Sequence, residues 1–253
     1  MMKRITLLAA LFVLTVGAQT GMCSFIPIAG YDINDAVLSG HGNWGHSYGG
    51  TITPGASFSN FGFVGTVGTY SGVGSGTLNN GIVETSLSST QLFVTPMSSS
   101  GLAIDPTIFL TLSYAYTIDS IRLYGGDFGA NSIPGALTGF TVTLLKTDFT
   151  SISQTFTTTP TGTDFGNGPV DDSVSLVGSS LEGIGAYAVF LSSFQGTTAN
   201  WFSIAEIELD GQLAPTTPAV PEPSSLALLG IGLAGLGLTR RRLLKKYIPR
   251  GHN

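Results

Sequence analysis

Between residues 24 and 211, apolar and polar side chains follow one another in short alternating runs, broken by clusters of Gly, Ser, Asn and Pro. Alternation with a period of two suits a strand with one buried face, because successive side chains leave a sheet on opposite sides. Such runs include FGFVGTV, GIVETSL, QLFVTP, TIFLTLSY, TIDSIRLYG, TGFTVTLLK, SISQTFTTT, DSVSLVG, GAYAVFLS and WFSIAEIELDG. Within TGFTVTLLK, Phe140, Val142 and Leu144 share one side, and Thr141 and Thr143 the other. In the final run Ala205, Ile207 and Leu209 oppose Glu206 and Glu208. No long stretch carries an apolar stripe at helical spacing, and no fixed-period repeat is visible, which disfavours a solenoid or propeller. Turn signals recurring roughly every 8 to 15 residues predict an all-β body, a single antiparallel β-sandwich or jelly roll.

Both ends depart from this pattern. Lys3 and Arg4 precede an apolar run from Ile5 to Val16, and Val16-Gly17-Ala18 offers a peptidase the residues it favours. The reading is a helical export signal over 1–18, cut after Ala18. Its apolar run falls short of the roughly 20 residues of a spanning helix. Ser224 to Thr239 is a second apolar, Gly-rich run, about 24 Å long as a helix against about 30 Å of hydrocarbon. A short transmembrane helix is predicted there, with Arg240, Arg241 and Arg242 holding its end on the cytoplasmic side and leaving the body outside. Pro221 and Pro223 bias Val220 and Glu222 towards extended backbone, which a processing enzyme can grip as a strand. The expected organisation is a signal peptide at 1–18, a β-sandwich body at 19–213, a linker at 214–219 and an anchor segment at 220–253.

Composition sharpens the picture. With 253 residues, 42% of them hydrophobic and 10% charged, the chain can bury one sizeable core. Residues 19–219 hold two bases, Arg122 and Lys146, against fourteen acids, so a net charge of −12 lies behind the −5 of the whole chain. An acidic body repels phosphate backbones and excludes nucleic acid as a partner. It suits a divalent cation, or solubility outside a cell. Cys23 is the single cysteine, which rules out an intramolecular disulfide and leaves burial to hold the fold. Met22 is too large for the position before a lipid-attached cysteine, and Cys23 at a chain end lacks the fixed base that a nucleophile needs.

Val220-Pro221-Glu222-Pro223, a short Gly-rich apolar stretch and Arg240-Arg241-Arg242, in that order, closely resemble the PEP-CTERM sorting signal of Gram-negative bacteria. The resemblance spans roughly the last 35 residues. It implies recognition by an exosortase, a membrane-embedded cysteine peptidase, with cleavage near Pro221–Pro223. The body would then reach the cell surface or the extracellular polysaccharide matrix. Such tails also carry a label relating them to ice-binding proteins, which describes the tail and not an activity.

In the body, YTIDSIRLYGG, GFTVTLLKTDFTSISQTF, AYAVFLSS and WFSIAEIELDG together resemble the discoidin-type, galactose-binding-like β-sandwich over residues 78–211. Members commonly bind glycans through loops at one end, and many hold a structural calcium ion. The resemblance implies that Glu206 stands where a metal-touching glutamate often does, with Asn80 of LNNG in the turn that commonly supplies oxygens. Asn79 and Asn80 replace acids in that turn. Separately, HGNWGHSYGG places His41, Trp44, His46 and Tyr48 in a Gly-rich loop. Their rings could stack on sugars or pack as a satellite core under the first strands. Two histidines five apart do not by themselves make a metal site.

Asp127, Asp171 and Asp172 could form the acid pair of a glycosidase, although acids in such Gly- and Ser-rich stretches more often form turns. TFTTTPTGT, unrepeated, cannot build a flat threonine array. No Gly-x-Ser-x-Gly elbow, phosphate loop or His-Glu-x-x-His helix occurs. The sequence therefore predicts an exported, non-enzymatic surface or matrix protein that binds glycans. The alternatives are a purely structural adhesion protein and an extracellular glycan-active enzyme.

Overall fold

The computed structural model of the protein describes residues 24–39, 46–60, 62–83, 90–99, 101–125, 134–159, 170–196 and 201–215. The expected signal helix, Cys23, His41, Trp44, Asp127 and the sorting segment with its short transmembrane helix lie outside the described residues. The chain divides into two units, Met1–Ala214 and Pro215–Asn253, and all the strands belong to the first. Among the described residues no helix is long and apolar enough to cross a membrane.

The body is all-β and antiparallel. Its strands are β1 (Ser24–Phe25), β2 (Ile28–Ser39), β3 (Thr51–Asn60), β4 (Phe63–Gly74), β5 (Gln91–Val94), β6 (Met97–Ser99) and β7 (Leu102–Ile104). They continue with β8 (Thr107–Gly125), β9 (Leu137–Lys146), β10 (Ser151–Thr157), β11 (Val170–Ser175), β12 (Gly185–Gly196), β13 (Trp201–Ile204) and β14 (Glu206–Leu213). One layer runs β10-β9-β12-β8-β2-β4-β3, and β5 joins it beside β2. The other layer forms on the second half of β8, which pairs with β11 and β14, while β1 extends β14.

A single strand of 19 residues therefore serves both layers. Ile108 to Leu112 lie in the first, between β12 and β2, and residues from Tyr116 onward pair with β14 in the second. TIFLTLSY and TIDSIRLYG, legible as two strands, are the two halves of β8. Strands that change layers are one of the ways a sandwich makes its corners. Conversely, WFSIAEIELDG breaks at Ala205 into β13 and β14.

The core fills the space between the layers. Phe140, Val142 and Leu144 of β9 point into it as the alternation predicts, and they meet Ile108 and Leu110 of β8 and Val189 and Leu191 of β12. Ile121, Leu123, Val174, Ile207 and Leu209 belong to the same cluster. Each such side chain contributes about 1.5–3 kcal/mol by leaving water. On the outer face of β9, Thr141 and Thr143 bond the hydroxyls of Thr155 and Ser153 on β10 at 2.8 and 2.7 Å. A second, smaller cluster packs Trp201 against Phe58, with ring centroids 5.6 Å apart, together with Val37, Val67 and Val94.

The two acids offered as a glycosidase pair or as turn formers, the second of them opening the run DSVSLVG, lie in a strand. Asp171 and Asp172 belong to β11, paired with Tyr124 and Leu123, and Asp172 is buried. The strand pairing of the Leu123 segment extends further than the Gly-rich flanks of the two acids suggest.

Candidate functional site

Two short segments meet at one rim of the sandwich. Thr77–Asn79 forms a single 3-10 turn after β4, and the residues 80–82 that follow fold over β14. His46 to Gly50 lie alongside: Thr77 N donates to Ser47 O at 3.0 Å, Ser47 N to Thr77 Oγ1 at 2.8 Å, and Gly49 N to Ser75 O at 2.8 Å. Backbone hydrogen bonds thus tie the end of the Gly-rich loop to the turn that carries Asn80.

His46 and Tyr48 form a small aromatic cluster under β2 and β4. The His46 ring lies 4.8 Å from Tyr70 and 6.0 Å from Tyr31, and Tyr48 lies 5.0 Å from Tyr70 and 5.2 Å from Tyr31. The Tyr31 hydroxyl sits 3.0 Å from His46 Nε2 and receives the Leu78 N–H at 3.5 Å. Tyr48 Oη accepts Gly74 N–H at 3.0 Å and lies 2.9 Å from Tyr31 O and 3.0 Å from Asp32 Oδ1. Burial drives His46 down to about 4 and Tyr70 up to about 12, so both stay neutral across the physiological range. Both described members of the loop quartet thus serve as packing, with Tyr48 half-buried at the rim.

Glu206 completes the rim. It was expected to oppose the buried face of its strand, yet it is wholly buried, because the 77–82 turn covers that side of β14. Its Oε2 accepts Gly81 N–H at 3.2 Å, and Oε1 is buried without a hydrogen-bond partner. Burial pushes its carboxyl up to about 7, against the pull of the Gly81, Asn80 and Ile82 N–H groups and with a further push from Glu208. The structure brings the turn at Asn80 and the Glu206 side chain together.

The side-chain oxygens of the turn are engaged by backbone N–H groups. Asn79 Oδ1 accepts Gly76 N–H at 2.9 Å, and Asn80 Oδ1 accepts Ile82 N–H at 2.8 Å. Calcium takes six to eight oxygens at about 2.3–2.6 Å. Here each of these two side-chain oxygens already accepts one N–H, and the Gly81, Asn80 and Ile82 N–H groups lie towards the Glu206 carboxylate, whose Oε1 is buried without a hydrogen-bond partner. Among the described residues no group of three or more His, Cys, Asp and Glu side chains converges to hold a metal.

The comparisons with known proteins bear on the two ends of the chain differently. Residues 219–242 match the PEP-CTERM protein-sorting motif, which marks an exported protein. No curated protein matches the chain. Among solved structures, the body is similar to the family 32 carbohydrate-binding module of C. perfringens NanJ in complex with galactose, at 15% identity, TM-score 0.36, 53% of this chain and 82% of that one. It is also similar to a Streptococcus pneumoniae fucose binding module, at 12% identity, TM-score 0.37, 65% of this chain and 93% of that one. The lectin domain of Lectinolysin complexed with Lewis B antigen stands at 14% identity, TM-score 0.34, 64% and 92%. These identities and scores are low, and the sandwich is defined by the strand pairing described above.

Proposed function

We propose that the protein is an exported, non-enzymatic component of the cell surface or exopolysaccharide matrix. An exosortase would grip Val220-Pro221-Glu222-Pro223 while the following apolar helix and Arg240–Arg242 hold the precursor in the membrane, and would cut near Pro221–Pro223. The observation that carries this reading is the sorting motif at residues 219–242. Its three parts each answer a physical need. The prolines would keep the cleavage strand extended, the apolar run would place it at the bilayer surface, and the arginines would fix its direction. Replacing Glu222 and both prolines by alanine should strand the full-length precursor in the membrane fraction. Export at the normal level and mass would overturn this reading.

In the matrix, the body would bind glycan. What supports this half is a loop bearing Trp44 and His41 whose C-terminal end is tethered at the rim by the Ser47 and Gly49 hydrogen bonds. Rings on a tethered loop can stack on sugar faces at a small entropic cost. A glycan array probed with the mature protein tests it, with Trp44→Ala expected to weaken capture. Silence across neutral and acidic polysaccharides would leave a structural matrix protein without a small ligand.

A further inference from the structure

We propose that a cleft between the β5–β6 turn and the end of β12 is a binding site for a neutral sugar residue presenting adjacent hydroxyl groups. The assignment rests on the glycan-binding reading above and locates a contact that the Trp44 loop does not supply. The cleft has a volume of about 450 Å³ and is lined by Thr95 and Pro96, Asp105, and Ser193, Phe194 and Gln195. That volume is within the range of small-molecule sites, roughly 300–1,000 Å³.

Two features mark the cleft as built. Ser193, on its wall, has φ 51°, and Asp35, which bonds the backbone of the lining residue Asp105, has φ 53°. Neither is glycine, and such conformations cost on the order of 1–3 kcal/mol each and persist only where the surroundings impose them. At Ser193 the surroundings are visible. The pairing of β12 with β9 slips between Ser192 and Gln195, and Phe194 between them is 1% exposed, its ring 4.9 Å from Phe202 and 6.0 Å from Phe140. The buried phenylalanine holds the bulge, and the bulge presents Ser193 and Gln195 on either side of it. At Asp35 the carboxylate accepts Asp105 N–H at 3.0 Å, which fixes the backbone bearing the Asp105 side chain. The side chains of Asp105, Ser193 and Gln195 make no hydrogen bond or ion pair with the described residues, so their donors and acceptors remain open to a ligand.

The chemistry selects the ligand class. A carboxylate accepts two hydrogen bonds side by side, as neighbouring sugar hydroxyls can donate them, while the amide and hydroxyl both donate and accept. Pro96 supplies an apolar patch for ring C–H groups. No base lines the cleft, and the two between residues 19 and 219 are engaged elsewhere: Arg122 Nε lies 3.8 Å from Asp210 and Lys146 Nζ 3.4 Å from Asp148. Uronic acids and phosphorylated sugars would meet uncompensated negative charge.

The test is calorimetric titration of the mature protein with neutral gluco-, galacto- and manno-oligosaccharides and with polygalacturonate. Wild type should bind a neutral oligosaccharide and not polygalacturonate. Asp105→Asn and Gln195→Ala should each lower affinity about tenfold or more, the loss of a charge-assisted or well-placed hydrogen bond. Ser193→Gly guards against misfolding, because glycine accepts positive φ freely: its melting temperature should hold or rise while affinity falls. If Trp44→Ala abolishes binding and the three cleft variants bind as wild type does, the cleft assignment is wrong and the glycan reading stands. If wild type binds neither the neutral oligosaccharides nor polygalacturonate, both are wrong. Preference for polygalacturonate would overturn the ligand class assigned here.

Discussion

Burial shifts two titratable side chains at the rim in opposite senses, with consequences for stability against pH. Glu206 rises from an ordinary 4.5 to about 7, so between those values the folded protein keeps a proton that the unfolded chain has lost. Its contribution is fully present below pH 4.5 and is lost as pH rises through 7. His46 falls from 6.5 to about 4, so its contribution is present above pH 6.5 and is lost as pH drops towards 4. The two oppose each other in mildly acidic solution. Glu206→Gln keeps the shape and removes the titration, so denaturant titrations at pH 5 and pH 8 should show the difference from wild type moving in the variant's favour by about 1–3 kcal/mol. A difference independent of pH would mean that Glu206 ionises as an ordinary carboxylate. Tyr31→Phe should cost about 1–3 kcal/mol in the same assay, since it strips a partner from His46 Nε2 and from the Leu78 N–H.

Among the elements, β8 carries the architecture. It is flanked on both sides in both layers, whereas β3 is an edge strand with seven consecutive exposed residues and a proline inside it. Amide exchange should therefore be slowest along Ile108–Leu112 and Ile121–Leu123 and fast in β3. Leu110→Ala should cost about 2–5 kcal/mol, because the side chain is fully buried in a packed core. Equal protection of β3 and β8 would contradict the layer order. The same contrast explains what the sequence could show. Phe140, Val142 and Leu144 keep strict alternation and are read correctly. β2 is missed because Asp32, Asn34 and Asp35 look like turn formers and its pairing with β4 shifts register three times. β3 escapes notice because both its faces are largely exposed, which leaves no apolar period to read. The burial of Glu206 was equally hidden, since it depends on a turn 125 residues earlier closing over β14. The cleft at Asp105 and Ser193 carries no motif at all; it arises where a bulge and a turn meet.

The whole molecule joins an acidic sandwich to a basic tail. Because the turn's side-chain oxygens accept backbone N–H groups, excess chelator is expected to leave the melting temperature of the body unchanged; a drop of several degrees would mean that an ion binds the folded form. The charge division also fits the proposed role of the tail, in which the arginines would stay with the membrane while the body, at −12 over residues 19–219, would be released. That the tail is a temporary handle is the claim on which the rest depends. Intact-mass spectrometry of the protein recovered outside cells that carry a functional exosortase tests it most directly. The account predicts a mature chain ending near Pro221–Pro223 and lacking Arg240–Arg242. Recovery of the uncut polypeptide, arginines included and lodged in the membrane of those cells, would contradict it.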